Sequence, residues 1–457
     1  MPGAWKNETG QEYGFCRWFH CQISCAASLV LKRSRNETHT LRVLDPHHQQ
    51  SAVTPAPDPV LSEPRLLLVA RGLRAFVDGY VAVLLPAYLL ALGFGTWEVG
   101  LFSTTTLLGS AVATAAVGSW GHRFHHRQLL LAAAFLMTAT GLSFAGFSAF
   151  WPLLVVAFVG TLNPSSGDVS VFLPLEHARL AGAASGVART TLFARYSLIG
   201  ALLAAIGALA SGVPDLLATY GVGRLTGIRC MFVVYSVAGV LVWFLYRRLP
   251  GRGSNVRPDP PRALGRSRPV VVKLAALFSI DAFAGGLAVQ SLMALWLFQR
   301  FDLSVSAAGT FFFAAGLLSA FSQLTAPRVA ARIGLLNTMV FTHIPSSLAL
   351  IAAAFASRLD IALGLLLIRA ALSQMDVPTR SAFVMALVTP QERAAAASFT
   401  AVPRSLAAAL SPSLGGALFA AGWMAAPLIA CGALKIAYDL LLLKSFRSVV
   451  PEHLDGT

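Results

Sequence analysis

The chain has 457 residues, 56% of them hydrophobic and only 12% charged, with 35 Lys and Arg against 20 Asp and Glu for a formal net charge of +15. Soluble domains carry about 25% charged residues, so this composition excludes a water-soluble globular protein and points to an integral membrane protein. The basic excess falls in loops that alternate along the chain, which reads as membrane topology rather than as a nucleic-acid surface.

Residues 1–65 read as a disordered cytoplasmic tail, because "HHQQSAVTPAPDPVLSEP" is polar and proline-rich and the short run "ISCAASLVL" lacks a basic start and a cleavage site. Asn7 and Asn36 fit the glycosylation acceptor pattern, yet a cytoplasmic tail escapes that modification. The tail is expected to be dispensable, with a gene start nearer Val53, so that deleting residues 1–52 leaves transport intact.

Twelve predominantly apolar stretches follow, each long enough to span a bilayer: roughly 66–92, 97–119, 127–148, 150–173, 187–211, 228–247, 270–299, 304–325, 335–356, 361–388, 394–421 and 425–445. The fold class expected is all-α, with twelve transmembrane helices. "NPSSGD" interrupts the fourth stretch, since Pro164 and Gly167 disfavour a regular helix interior. Residues 248–269 form a basic linker, with Arg248, Arg252, Arg257, Arg262, Arg266 and Arg268 inside it and Arg247 and Lys273 flanking it. Arg123, Arg127, Arg179, Arg328, Arg332, Arg393, Lys444 and Arg447 lie on the same side, whereas the opposite loops hold only Arg224, Arg229, Arg300 and Arg358. Basic loops stay inside, so both termini are expected in the cytoplasm, with residues 447–457 as a short C-terminal tail. The five cysteines fit neither a zinc spacing nor a disulfide framework.

Three internal echoes share one order. "LRAFVDGYVAVLLPAYLLAL" around Asp78 aligns with "LFSIDAFAGGLAVQSLMALW" around Asp281. Asp168 in "SSGDVSVFLPLEHARLAGAAS" aligns with Asp376 in "SQMDVPTRSAFVMALVTPQERAAAAS", and Arg195 with Arg404. Two six-helix halves follow, 66–247 and 270–446.

"GSWGHRFHHR" at 118–127 resembles the loop signature of the major facilitator superfamily, keeping Gly118, Arg123 and Arg127 but placing His122 and His125 where the family has aspartate and glycine. "PRVAARIGLL" at 327–336 keeps only Arg332 and Gly334 of that signature. "LLIRAALSQ" resembles the family's membrane-arginine motif with Arg369 in place, and "SPSLGG" at 411–416 resembles its Gly/Pro-rich antiporter motif, although in the eleventh stretch rather than the fifth. "NPSSGDVS" and "SQMDVPTR" resemble bacterial members of unassigned substrate. The resemblance implies a secondary carrier in the cell's inner (plasma) membrane.

Ionisable residues at membrane depth are functional suspects. Arg71, Arg74 and Asp78 share one helix face, and Asp78 falls roughly 18 Å along the first helix, near the bilayer middle. One reading gives Asp78, with Asp281, the coupling proton; the other pairs Arg74 with Asp78 as a structural lock. Asp168 and Asp376 are candidate cytoplasmic gates or helix caps, with Arg369 and Arg74 in gating roles. Arg195 and Arg404 either grip an anionic solute or pair with an aspartate of their own half. Lys435 and Asp439, four residues apart, are expected to satisfy one another, and His343 to be a hydrogen-bonded core histidine. His122, His125 and His126 read as surface electrostatics rather than a metal site. No phosphate-binding loop, nucleophile elbow or zinc-helix motif occurs, so the chain is expected not to be an enzyme and to use no cofactor. The expected function is proton-coupled export of a small toxic or foreign molecule. The alternatives are transport of an organic or inorganic anion, or a nutrient sensor without turnover. The expected partners are the solute, protons and lipid, without nucleic acid, and the chain is expected to act as a monomer.

Overall fold

The structure is a computed structural model that describes residues 63–447 apart from 166–169, 184–185, 252–263, 266 and 390–391. The tail before residue 63, most of the basic linker, Asp168 and residues 448–457 lie outside the described residues. The described chain is all helix and connection: α1 (Glu63–Ala91), α2 (Thr96–Trp120), α3 (His126–Gly146), α4 (Phe150–Val159), α5 (Phe172–Ala183), α6 (Gly186–Ala210), α7 (Val213–Thr219), α8 (Arg224–Arg247), α9 (Arg268–Leu287), α10 (Gln290–Phe301), α11 (Val305–Ile333), α12 (Leu335–Phe355), α13 (Leu359–Ser373), α14 (Asp376–Leu387), α15 (Arg393–Ala420) and α16 (Ala426–Phe446).

All twelve apolar stretches carry helix, but three are interrupted. The fourth stops at Val159, and beyond Gly160 Asn163 Oδ1 accepts from the amide (3.1 Å) and hydroxyl (2.6 Å) of Ser165, a local turn that competes with helix. The seventh breaks between Leu287 and Gln290 after the Gly285–Gly286 pair, and the tenth between Ser373 and Asp376, where Pro378 removes a helical donor. Ten helical segments among the described residues are long and apolar enough to cross a membrane when the joined pairs α6–α7, α9–α10 and α13–α14 count as one each. The protein is thus a multi-pass, all-α membrane protein. α4, at ten residues, and α15 are not among those segments.

α1 is the most enclosed helix, buried along most of its length against α6 and α8. The core therefore runs beside the charges of α1, where polar groups must find partners inside the protein. Two further contacts are made at one end of the molecule only. Near that end α2 meets α15, where the Ser413 amide donates to Thr104 Oγ1 (2.8 Å), and α6 meets α11, where a side chain on Gly309 would strike Ser211 Oγ at 2.5 Å. Ser103 and Ser291 share a hydroxyl contact of 2.9 Å, and the Ser291 amide donates to the Pro164 carbonyl at 3.1 Å. Toward the end that carries Arg123 and Arg247, burial fades: no described residue of α2 beyond Ala111 is buried, and Phe399, Val402, Phe321 and Leu324 are exposed. Among the described residues these contacts shut one end, whereas the residues named toward the other end are exposed.

Candidate functional site

In α1, Arg74 is 2% exposed and forms an ion pair with Glu176 of α5, which is 0% exposed. The same carboxylate accepts from Tyr196 Oη of α6 at 2.5 Å and from Tyr246 Oη of α8 at 2.6 Å, while the Arg74 guanidinium lies over Phe172 at 4.2 Å. Buried ions depend on hydrogen bonds to their lone pairs, and Glu176 accepts from three helices. Arg71 lies over Tyr196 at 5.2 Å and presses on Gly200, where a Cβ would approach its Nε to 2.5 Å. Only a residue without a side chain leaves room for that guanidinium.

Asp78 sits one turn beyond Arg74 on the same face, 8% exposed. It lies within electrostatic reach of Arg74 and Arg71, yet no described residue donates a hydrogen bond to it. The expected Arg74–Asp78 lock is absent because Glu176 has taken Arg74.

A second cluster joins α9, α12, α14 and α16. Asp281 Oδ1 accepts from Lys435 Nζ at 2.6 Å, and its Oδ2 stands 3.0 Å from Arg380 Nη2. Arg380 also pairs with Asp376 one turn before it. Nδ1 of His343 lies 3.1 and 3.0 Å from the two oxygens of Asp439, and its Nε2 lies 3.4 Å from Lys435 Nζ and 3.8 Å from Asp281 Oδ1. The expected Lys435–Asp439 pair does not form: Lys435 turns to α9 and Asp439 to α12, where tertiary partners outweigh a local i, i+4 contact. Among the described residues the buried Tyr438 hydroxyl in this cluster has no hydrogen-bond partner.

The structure thus brings Asp281 and Asp376 together through Arg380, and links Asp78 to neither by any bond among the described residues. Arg404 is exposed on α15 and makes no ion pair among the described residues, but it stands within electrostatic reach of Arg380, Asp281 and Asp376. Arg195 is exposed on α6 beside Tyr196, outside the bonds to Glu176. Arg369 is half-buried in α13, makes no ion pair among the described residues, and its carbonyl accepts from Ser346 Oγ at 3.3 Å. Glu176, Tyr196, Tyr246 and Arg380 are site residues that sequence reading missed. The signal available was a glutamate and an arginine just past two helix breaks, in "LPLEHARL" and "DVPTRS". No group of metal ligands occurs among the described residues. A cleft of about 520 Å³ lined by Trp296, Arg300, Phe355 and Trp423 touches neither cluster.

Residues 67–373, well over half of the chain, match the family described as the Major Facilitator Superfamily. The chain belongs to this superfamily. As a facilitator it is a membrane transporter of the alternating-access class, and not an enzyme. It is 24% identical to the uncharacterized membrane protein YJR124C of Saccharomyces cerevisiae over 422 residues, 84% of this chain and 94% of that protein. It is 26% identical to a D-xylose transporter of Levilactobacillus brevis over 176 residues, 38% of this chain and 34% of that one. Among solved structures, the nucleoside transporter NupG matches with a TM-score of 0.66 at 14% identity, covering 85% of this chain and 100% of that chain. A D-xylose-proton symporter matches with a TM-score of 0.66 at 14% identity, covering 83% and 97%. These likenesses show the facilitator fold.

Proposed function

We propose that this facilitator is a proton-coupled secondary carrier that exports a small toxic or foreign molecule, with Asp78 as a proton-binding site. The observation that carries the reading is the isolation of Asp78, buried beside an arginine that Glu176 has already taken. A buried carboxylate with no donor is costly as an anion, and a bound proton removes that cost. Loss of the proton then favours whichever conformation lets water or an incoming cation reach α1, so proton occupancy and opening are linked. In this reading twelve spans form two six-helix halves, 66–247 and 270–446, that rock about the charge clusters as a monomer. Both termini are cytoplasmic in the inner (plasma) membrane, so the less buried end faces the cytoplasm. The proton symporter among the similar structures supports coupling of this kind on this fold, and export rests on "SPSLGG" in α15.

A second reading has one observation in its favour. Arg404 is exposed toward the cluster without a carboxylate of its own, which suits an organic or inorganic anion as cargo. Both readings are tested by expressing the full chain and its Asp78→Asn variant in a bacterium stripped of efflux pumps, then measuring growth across drugs, metals and metalloids. Resistance from the wild type alone is expected. Equal resistance from both removes Asp78 from the mechanism. Resistance from neither, with both proteins present in the membrane, favours the anion, for which Arg404→Lys should weaken binding selectively.

A further inference from the structure

We propose that His343 is a second proton-binding residue of the carrier, and that its protonation transfers Asp281 Oδ1 from Lys435 to the imidazolium. This rests on the proton-coupled reading of the carrier and names where a further proton sits, in the second cluster. The tautomer follows from the neighbours. Nδ1 faces both oxygens of Asp439 at 3.1 and 3.0 Å, a buried acceptor pair, so Nδ1 holds a hydrogen in either charge state. Nε2 is then the basic nitrogen, and it points into the gap between Lys435 Nζ (3.4 Å) and Asp281 Oδ1 (3.8 Å).

Those two neighbours suit opposite charge states. Neutral, Nε2 accepts from the Lys435 ammonium. Once a proton from water binds there, the new N–H can no longer accept, and its nearest acceptor is the Asp281 oxygen that Lys435 holds at 2.6 Å. Two cations then contest one atom. The other oxygen of Asp281 stays with Arg380 at 3.0 Å, so α9 and α14 remain tied while the link from α9 to α16 changes hands.

The hydrogen-bonded set taken by itself holds three carboxylates, Asp281, Asp376 and Asp439, against the cations Arg380 and Lys435. Other charged or titratable groups face His343 from every element packed around it. α9 supplies Asp281; α16 supplies Lys435, Asp439, Tyr438 and the buried Cys431; α14 supplies Asp376 and Arg380. α13 supplies Arg369, whose carbonyl meets Ser346, and the charges of α11, Arg328 and Arg332, lie at its exposed end. Arg404 adds a water-exposed cation at the rim. Pro345, two residues after His343, removes a backbone donor from α12 and lets that helix bend where the switch operates. By contrast, the Glu176 carboxylate already accepts from three residues and is contested by no second cation.

The test is ¹⁵N spectroscopy of histidine- and lysine-labelled full-length protein in lipid nanodiscs between pH 5 and 9, with His343→Gln identifying the His343 signal. The expected result is an Nδ1–H imidazole at high pH that gains a second N–H at lower pH, with a lysine side-chain signal moving over the same range. In Lys435→Gln, which removes the competing charge, the His343 transition should move. A His343 signal fixed in one form over the whole range, or a transition indifferent to Lys435→Gln, overturns the switch. Neither result bears on Asp78, so failure of the switch with Asp78→Asn still transport-dead leaves the carrier reading standing.

Discussion

Gly100 of α2 and Gly416 of α15 meet backbone to backbone: a Cβ built on Gly100 would lie 2.8 Å from the Gly416 Cα and 2.6 Å from the Pro412 carbonyl. Small residues let membrane helices approach this closely. "SPSLGG" therefore has a packing role at the shut end, whatever it says about the direction of transport. Gly100→Leu should prise that end apart, since overpacking costs about 1–3 kcal/mol. Labelling of a Ser413→Cys reporter by a membrane-impermeant maleimide should rise roughly 5- to 100-fold. Unchanged labelling would mean that the contact does not hold that end shut.

Glu176→Gln leaves Arg74 buried without its counter-ion. Breaking a buried pair from one side costs about 3–5 kcal/mol, so thermal unfolding in detergent should move down by several degrees. Tyr246→Phe, which removes one donor to the same carboxylate, should cost about 1–3 kcal/mol. A smaller effect from Glu176→Gln than from Tyr246→Phe would contradict the hub assigned to that carboxylate.

The two aspartates that align in the internal repeat should respond oppositely to neutralisation. Asp78→Asn removes no hydrogen bond among the described residues, so it should cost no more than about 1 kcal/mol. Asp281→Asn deprives Lys435 and Arg380 of their shared partner and should lose about 3–5 kcal/mol. Paired melting curves decide this, and equal losses would mean that Asp78 has a partner after all.

Outside the spans, Glu392 takes the Gly265 amide at 2.7 Å and the Ser267 amide at 3.3 Å, tying the start of α15 to the start of α9. Hydrogen bonds from Ser267 and then Gly265 hold its carboxyl below the ordinary glutamate range. A folded-state value below the unfolded one stabilises at pH above the unfolded value, and that contribution disappears as pH falls through the folded one. Proteolysis of the segment between α8 and α9 should accelerate in wild type only as the solution is acidified below about pH 4. Glu392→Gln should show the fast rate already at neutral pH. Identical pH profiles for the two proteins would rule the clamp out.

Apolarity and length made the helices legible, and every stretch picked out on that basis carries helix among its described residues, three of them with a break. The break in the fourth was legible too, because proline and glycine act locally. The break before Gln290 was not, since Gly285 and Gly286 also serve as packing residues: a Cβ on Gly286 would strike Ser411 Oγ at 2.1 Å. Asp78, Asp281 and Asp376 stood out as charges in apolar surroundings, and all three are buried. Their partners did not stand out. Glu176 and Arg380 follow helix breaks, where a charge reads as loop, and Lys435 with Asp439 had a local pairing that two other helices override. Nothing in the spacing of Arg195 and Arg404 said that both would be exposed.

The bond from the Ser291 amide to the Pro164 carbonyl joins two places where helices have given way to irregular chain. Each group lacks an intrahelical partner, so each currently satisfies the other. When the shut end separates, both must be solvated within the pathway, because an orphaned peptide group there costs several kcal/mol. Opening on that side is therefore a wetting transition, with water admitted to the pathway before or together with the cargo.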